Sequence, residues 1–178
     1  MLGDHGLVYK GCRFYEGAVR VPMIWNWPGH TEQDVKADGL VELLDVVPTL
    51  LDLVGIEVPD YAQGRSLVSV LRGEESADRI RPFVRSEYYD AAGGRNREGK
   101  TGFGTMYRDE RYKLVVYHGY DLGELYDLQN DPNEHENLWG DPDSMTIKMD
   151  LMKKSFDSSV MITDWGGFPN ITRNNDGF

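Results

Sequence analysis

Leu2-Gly3-Asp4-His5-Gly6-Leu7-Val8-Tyr9-Lys10-Gly11, followed by Phe14-Tyr15-Glu16-Gly17-Ala18-Val19-Arg20-Val21-Pro22, is the stretch on which the reading of this chain turns. Glycines flank a lysine among charged and aromatic residues, and the stretch runs directly into an apolar segment. Glycine lets a ligand approach the backbone and lysine supplies a movable positive charge, so a strand edge of this composition suits an anion. A domain rarely opens on its functional loop. The chain is therefore expected to be the later part of something longer.

Working outward, the bulk properties set limits. A chain of 178 residues holds one domain with a sizeable core or two small lobes. Hydrophobic residues at 40% and charged residues at 28% fit a globular protein. A formal net charge of -11 argues against a nucleic-acid-binding surface, because phosphate contacts need clustered Lys and Arg. An anionic ligand must then be met by local positive charge, since the overall field opposes it. The single cysteine, Cys12, excludes an internal disulfide. No apolar run is long enough to span a membrane.

Periodicity and turn residues give the elements. Val21–Trp27 is a nearly continuous apolar run closed by Pro28-Gly29 and reads as a buried strand. After a polar loop from His30 to Asp38, Leu40–Leu44 reads as a strand. Pro48 then suits a first helical turn, giving a helix capped by Asp45, running to Val54 and ended by Gly55. Leu50, Leu51 and Val54 share one face of it. Leu67–Leu71 forms a short helix stopped by Gly73, and Glu74–Arg81 a charged loop. Strands follow at Phe83–Tyr89, Phe103–Tyr107, Tyr112–Tyr117 and Glu124–Leu128, with Arg108–Arg111 as a hairpin turn. Ala91–Gly102 reads as a mobile loop and Asp131–Asn133 as a turn. Ser144–Phe156 reads as a helix with Met145, Met149, Met152 and Phe156 on its apolar face. A composition shift near residues 73–82 divides an α/β portion, 1–75, from an antiparallel α+β portion, 76–162, with an extended tail over 163–178.

In this order the motifs resemble the sulfatase family, arylsulfatase-like members of the alkaline phosphatase-like superfamily. They are Leu2–Gly6 with Lys10-Gly11, Tyr15-Glu16 and Val19–Pro22; Trp27-Pro28-Gly29; Asp45–Ile56; Gly64-Arg65-Ser66-Leu67; Arg111-Tyr112-Lys113-Leu114; and Glu124–Leu128 with Asp131-Pro132, Glu134 and Glu136-Asn137-Leu138. Six motifs in register cover roughly residues 2–140. The resemblance implies the C-terminal part of a sulfatase α/β fold with a small lobe of antiparallel strands packed on a helix. It implies metal-dependent hydrolysis of sulfuric esters by a formylglycine nucleophile, with a phosphonate monoester or phosphodiester hydrolase of the same superfamily as the alternative. The divalent cation it implies is calcium, with ligands upstream of Met1 and none in this chain. The formylglycine motif, Cys or Ser-x-Pro-Ser-Arg, does not occur here, so the chain alone is expected to be inactive. A non-catalytic module that binds a sulfated or other anionic ligand is the reading from a different class.

By that resemblance Lys10 is the catalytic and substrate-binding residue, contacting the sulfate and offsetting charge as the ester breaks; such a donor contributes a few kcal/mol. His5 lines or braces the mouth of the site. Neither Asp4 nor His5 is read as a metal ligand. Cys12 precedes Arg13-Phe14-Tyr15 and reads as a packed thiol rather than a nucleophile. Tyr15, Glu16 and Arg20 organise the loop through hydrogen bonds and ion pairs. Asp45 reads as a helix cap, and His30, His118 and His135 have no partner spacing. The acidic run from Asp127 to Glu136 reads as solvated turns. The substrate class is a sulfate ester, no nucleic-acid partner or membrane span is expected, and an exposed sheet edge favours self-association.

Overall fold

A computed structural model describes residues 3–8, 11–89 and 102–162. Lys10, residues 90–101 (most of the stretch expected as a mobile loop) and residues 163–178 (the expected extended tail) lie outside the described residues. The chain forms two compact units: residues up to Met23 together with Phe83–Phe156, and Ile24–Pro82 together with the residues from Asp157 on.

The first unit is built on a four-stranded antiparallel sheet with strands in chain order: β1 (Phe83–Tyr89), β2 (Phe103–Asp109), β3 (Tyr112–Tyr117) and β4 (Leu122–Asp127). The β2–β3 hairpin closes because Asp109 accepts the backbone N–H groups of Arg111 (2.9 Å) and Tyr112 (2.7 Å), which sets the turn locally. Register places Met106 opposite Val115 and Arg108 opposite Lys113. Side chains alternate between faces along a strand, so each face can be read off by parity. On one face Met106, Val115 and Tyr117 pack with Phe14, and Cys12 and Val19 lean against them. On the other, Tyr107, Leu114 and Leu125 pack with Leu151, with Ile147 and Trp139 alongside. Both faces of β3 are therefore covered, which is why its sequence is nearly continuously apolar.

Within this sheet, two glycines are required by close approach. A Cβ on Gly104 would sit 2.8 Å from the Phe14 ring, and one on Gly123 would sit 2.3 Å from the Trp139 ring. Asn137 holds that second contact together: its amide donates to the Gly123 carbonyl at 3.1 Å, and its oxygen accepts from the Leu125 and Trp139 N–H groups at 3.0 Å each.

Helix α4 (Met145–Ile162) extends past the expected Phe156. Its inward residues are Leu151 and Ile147, four apart, whereas Met145, Met149, Met152 and Phe156 are exposed. The period of 3.6 fits either stripe, and the sequence alone favoured the one with more methionines.

The second unit contains α2 (Val46–Leu53) and α3 (Val68–Leu71), with Leu40, Leu67, Val68, Val70 and Ile80 buried. The expected strands at Val21–Trp27 and Leu40–Leu44 are absent. The first is irregular, with Val21, Ile24 and Trp27 exposed, and the second ends in a 3₁₀ turn at Leu43–Asp45. A strand needs a neighbour for its backbone groups, and the described sheet comprises only β1 to β4. Gly55 takes φ 72 just beyond α2, and Gly73 takes φ 73 beyond α3, as helix-stopping glycines do. Asp45 makes no side-chain cap to α2. It is wholly buried and accepts from the backbone N–H of Glu42 (2.8 Å) and of Arg65 (2.9 Å) and from Arg81, which also pairs with Glu42. Thr49 continues this polar seam, donating to the Asp45 carbonyl at 2.6 Å and accepting from Leu67 N–H at 2.9 Å.

Candidate active site

The glycines of the opening stretch make its turn. Gly3 and Gly6 adopt φ 109 and φ 70, and the 3₁₀ turn Asp4–Gly6 is closed by Leu7 N–H donating to the Asp4 carbonyl at 3.0 Å. His5 at its centre has φ 53, a left-handed conformation that is uncommon for a residue with a side chain. Its half-buried ring lies parallel on Tyr15, with centroids 3.7 Å apart and planes 6° from parallel. His135 is tilted 44° to His5, with ring centroids 5.6 Å apart. Tyr15 in turn meets Tyr126. Burial, then Glu124, then the hydrogen bond with Tyr15 raise the Tyr126 phenol well above the ordinary tyrosine range, so this hydroxyl stays protonated.

Beyond Gly11, Cys12 is half-buried against the sheet, and burial pushes its thiol up despite Arg13 beside it. A raised thiol is a poor nucleophile, as expected from its sequence context. Arg13 donates to the Cys12 carbonyl at 3.1 Å, and its guanidinium carbon lies 5.1 Å from the centre of the Tyr117 ring. Helix α1 (Glu16–Val19) then turns the chain.

The segment is fastened from below by Lys113, whose side chain is fully buried. Its ammonium donates to the Phe14 carbonyl (3.0 Å) and to Glu134 (2.7 Å) and lies 2.6 Å from Glu16. Glu134 Oε2 also accepts from the Glu16 backbone N–H at 2.6 Å. Arg108, opposite Lys113 in the ladder, lies 3.5 Å from the same Glu16 oxygen. Two cations directly opposed on neighbouring strands repel, and the two carboxylates offset them. Glu134 holds this position at φ 58.

Of the residues expected at the site, His5 is placed in this aromatic cluster, and Lys10 lies outside the described residues. Glu16 does organise the loop by ion pairing. Sequence reasoning missed Lys113, Glu134 and His135. The acidic run is not simply solvated, since Asp127 is buried against Arg111 (2.7 Å) and Glu134 is 2% exposed. Strand parity offered a signal: it puts Lys113 on the same face as Val115 and Tyr117, where a cation needs a partner. His135 carried no such signal, because only the Glu134 turn brings it to His5.

Among the described residues, no group of three His, Cys, Asp or Glu side chains is arranged to hold a metal. The hollow lined by Asp127, Asn130, Asp131, Glu136 and Leu138, about 210 Å³, is rich in carboxylates, but Asp127 is engaged by Arg111 and Asn130, and Asp131 by the Glu136 N–H. These residues do not fit a divalent cation. No helix among the described residues is long and apolar enough to cross a membrane.

Comparison with known proteins shows the family. The family described as N-sulphoglucosamine sulphohydrolase, C-terminal, matches residues 3–160. The Δ4,5-hexuronate-2-O-sulfatase of Bacteroides thetaiotaomicron is 38% identical over 143 residues, covering 79% of this chain and 28% of that protein. A solved 2-O GAG sulfatase aligns at TM-score 0.55 and 35% identity over 67% of this chain and 25% of its own. The phosphonate monoester hydrolase of Silicibacter pomeroyi aligns at TM-score 0.67 and 26% identity over 79% of this chain and 29% of its own. The chain thus spans between a quarter and three tenths of the length of these relatives. Enzymes of the sulfatase family act on sulfate esters and are generally metal-dependent. The four-stranded antiparallel sheet with its packed helix is the C-terminal lobe of the alkaline phosphatase-like sulfatase fold, and the chain belongs to the C-terminal sulphohydrolase family of the sulfatases.

Proposed function

We propose that this chain is the C-terminal portion of a sulfuric ester hydrolase, in which Lys10 binds a sulfate oxygen and His5 lines the substrate pocket. The observation that carries the reading is the family match, which begins at residue 3 and so includes the Gly3–Gly11 stretch. The ammonium of Lys10 would offset the negative charge that develops as the ester bond breaks. His5, held flat on Tyr15, would present a ring nitrogen to the sulfate or to the group that carries it. Calcium is the cation we assign to the working enzyme, held by residues outside this chain. The formylglycine precursor motif is likewise outside it, and one positive donor gives only a fraction of the barrier reduction such hydrolysis needs, so the purified 178-residue chain should not turn over substrate. The domain reading, with the end of a catalytic α/β domain in residues 1–75 and a subdomain in 76–162, forms part of this proposal.

The test is hydrolysis of an aryl sulfate by protein expressed from the reading frame that carries these codons, with Lys10→Ala beside it. The expected result is no turnover from the 178-residue chain, turnover from the longer product, and a loss of about 10²–10³-fold in kcat for the variant. An unchanged rate in Lys10→Ala would remove Lys10 from the site. Metal-dependent turnover by the 178-residue chain itself would contradict the reading as a portion. A second reading, phosphonate monoester hydrolysis, is favoured by the likeness to the Silicibacter pomeroyi enzyme at TM-score 0.67.

A further inference from the structure

We infer that Lys113 is a positioning residue for His5: its buried ammonium fixes the two segments that carry the ring neighbours of the His5 imidazole, Tyr15 and His135. The inference rests on the proposed place of His5 in the substrate pocket. Tyr15 stacks on His5 at 3.7 Å, and the next residue, Glu16, lies 2.6 Å from Lys113 Nζ. His135 stands 5.6 Å from His5, and the preceding residue, Glu134, accepts from the same ammonium at 2.7 Å. One cation therefore holds both neighbours of His5 through their adjacent carboxylates. The Glu16 N–H bond to Glu134 closes the third side, and the Phe14 carbonyl ties the ammonium to the segment's backbone.

The arrangement is specified rather than incidental. Lys113 is the largest fully buried side chain among the described residues, on a strand that would otherwise be apolar on both faces. Burying it opposite Arg108 is unfavourable unless both carboxylates are present. Two of the three described non-glycine residues at positive φ, His5 and Glu134, stand on this one assembly. Backbone strain persists only where the surroundings over-determine it, and such residues gather at functional sites.

The test is proton NMR of the 178-residue chain, comparing wild type with Lys113→Met and Lys113→Arg. It reads the His5 ring protons, which the Tyr15 ring current displaces upfield, with the Leu114, Leu125 and Leu151 methyls on the opposite sheet face as the fold reference. In Lys113→Met the methyl pattern should persist while His5 loses most of its upfield displacement. Lys113→Arg, which restores a cation, should return most of it. His118, bonded to Thr105 at 3.0 Å, should not move in either. A folded Lys113→Met with His5 unmoved would overturn the inference. If that variant loses the methyl pattern, Glu134→Gly, which suits the positive φ and removes one carboxylate, is read the same way, and an unmoved His5 there would again overturn it. Turnover does not enter this measurement. Failure of the Lys10→Ala experiment would therefore count against the pocket role and leave the placement of His5 by Lys113 to stand or fall on the spectrum.

Discussion

Lys113 shows what one side chain can decide. A lone ammonium in an apolar sheet face would be expelled or neutralised, yet here it joins three stretches far apart in sequence: Phe14 to Glu16, the β2–β3 hairpin and the turn at Glu134. Removing one partner of a buried pair costs about 3–5 kcal/mol, so Lys113→Met should lower unfolding free energy by roughly that amount in urea titration. A loss below about 1 kcal/mol would mean the pair is solvated in solution. Gly123→Ala tests a different limit. Its methyl would lie 2.3 Å from Trp139, and overpacking of this kind costs about 1–3 kcal/mol. A fully stable Gly123→Ala would show that Trp139 does not lie on β4. The tyrosines set the alkaline limit. Burial first, then the Asp109 and Asp150 charges, pushes Tyr107 up to about 12, while Tyr117 and Tyr126 are raised by burial and Glu124. Groups raised above their unfolded value, about 10, contribute stability that is fully present below that pH and is lost as pH rises through the folded value. The urea midpoint should be flat with respect to these groups up to about pH 10 and fall above it, and the fall should be smaller in Tyr107→Phe; an equal fall in that variant would remove Tyr107 from the cause.

At the scale of elements, local chemistry was legible and tertiary direction was not. The β2–β3 hairpin, the turn at Asp131 and the glycine stop at Gly55 all follow from residues that act on their own neighbourhood. The strand expected at Val21–Trp27 failed because an apolar run describes willingness to be buried, while a strand also needs a partner. Helix α2 shows the same gap in another form. Its sequence announces an apolar face, Leu50, Leu51 and Val54, of which Leu50 and Val54 are more than half accessible and Leu51 is half-buried, while Asp45 and Thr49 are buried. Hydrogen bonds to Arg65, Arg81 and Leu67 make the polar side the inner one. An exposed apolar stripe of this kind drives association. Sedimentation of the purified chain should therefore show concentration-dependent self-association, reduced in the double variant Leu50→Lys with Val54→Lys. A monomer at all concentrations in wild type would contradict this.

For the molecule as a whole, six motifs in register located the family without any single one being decisive, because each is a local solution to a turn, a cap or a close approach. The structure adds that three of them, around Glu16, Lys113 and Glu134, meet in one buried charge cluster beneath His5. That convergence was not legible, since ion pairs over such sequence separations leave no spacing signal. The role proposed for Lys10, which lies outside the described residues, rests on its glycine-flanked context and on the resemblance. The measurement that bears most directly on the sulfatase reading is the ratio of kcat/KM for an aryl sulfate to that for an aryl phosphonate monoester, using protein expressed from the reading frame that carries this chain. The ratio should exceed one, with sulfate turnover lost in Lys10→Ala. A ratio below one, with phosphonate turnover dominant, would contradict the sulfuric ester assignment and make the chain part of a phosphonate monoester hydrolase.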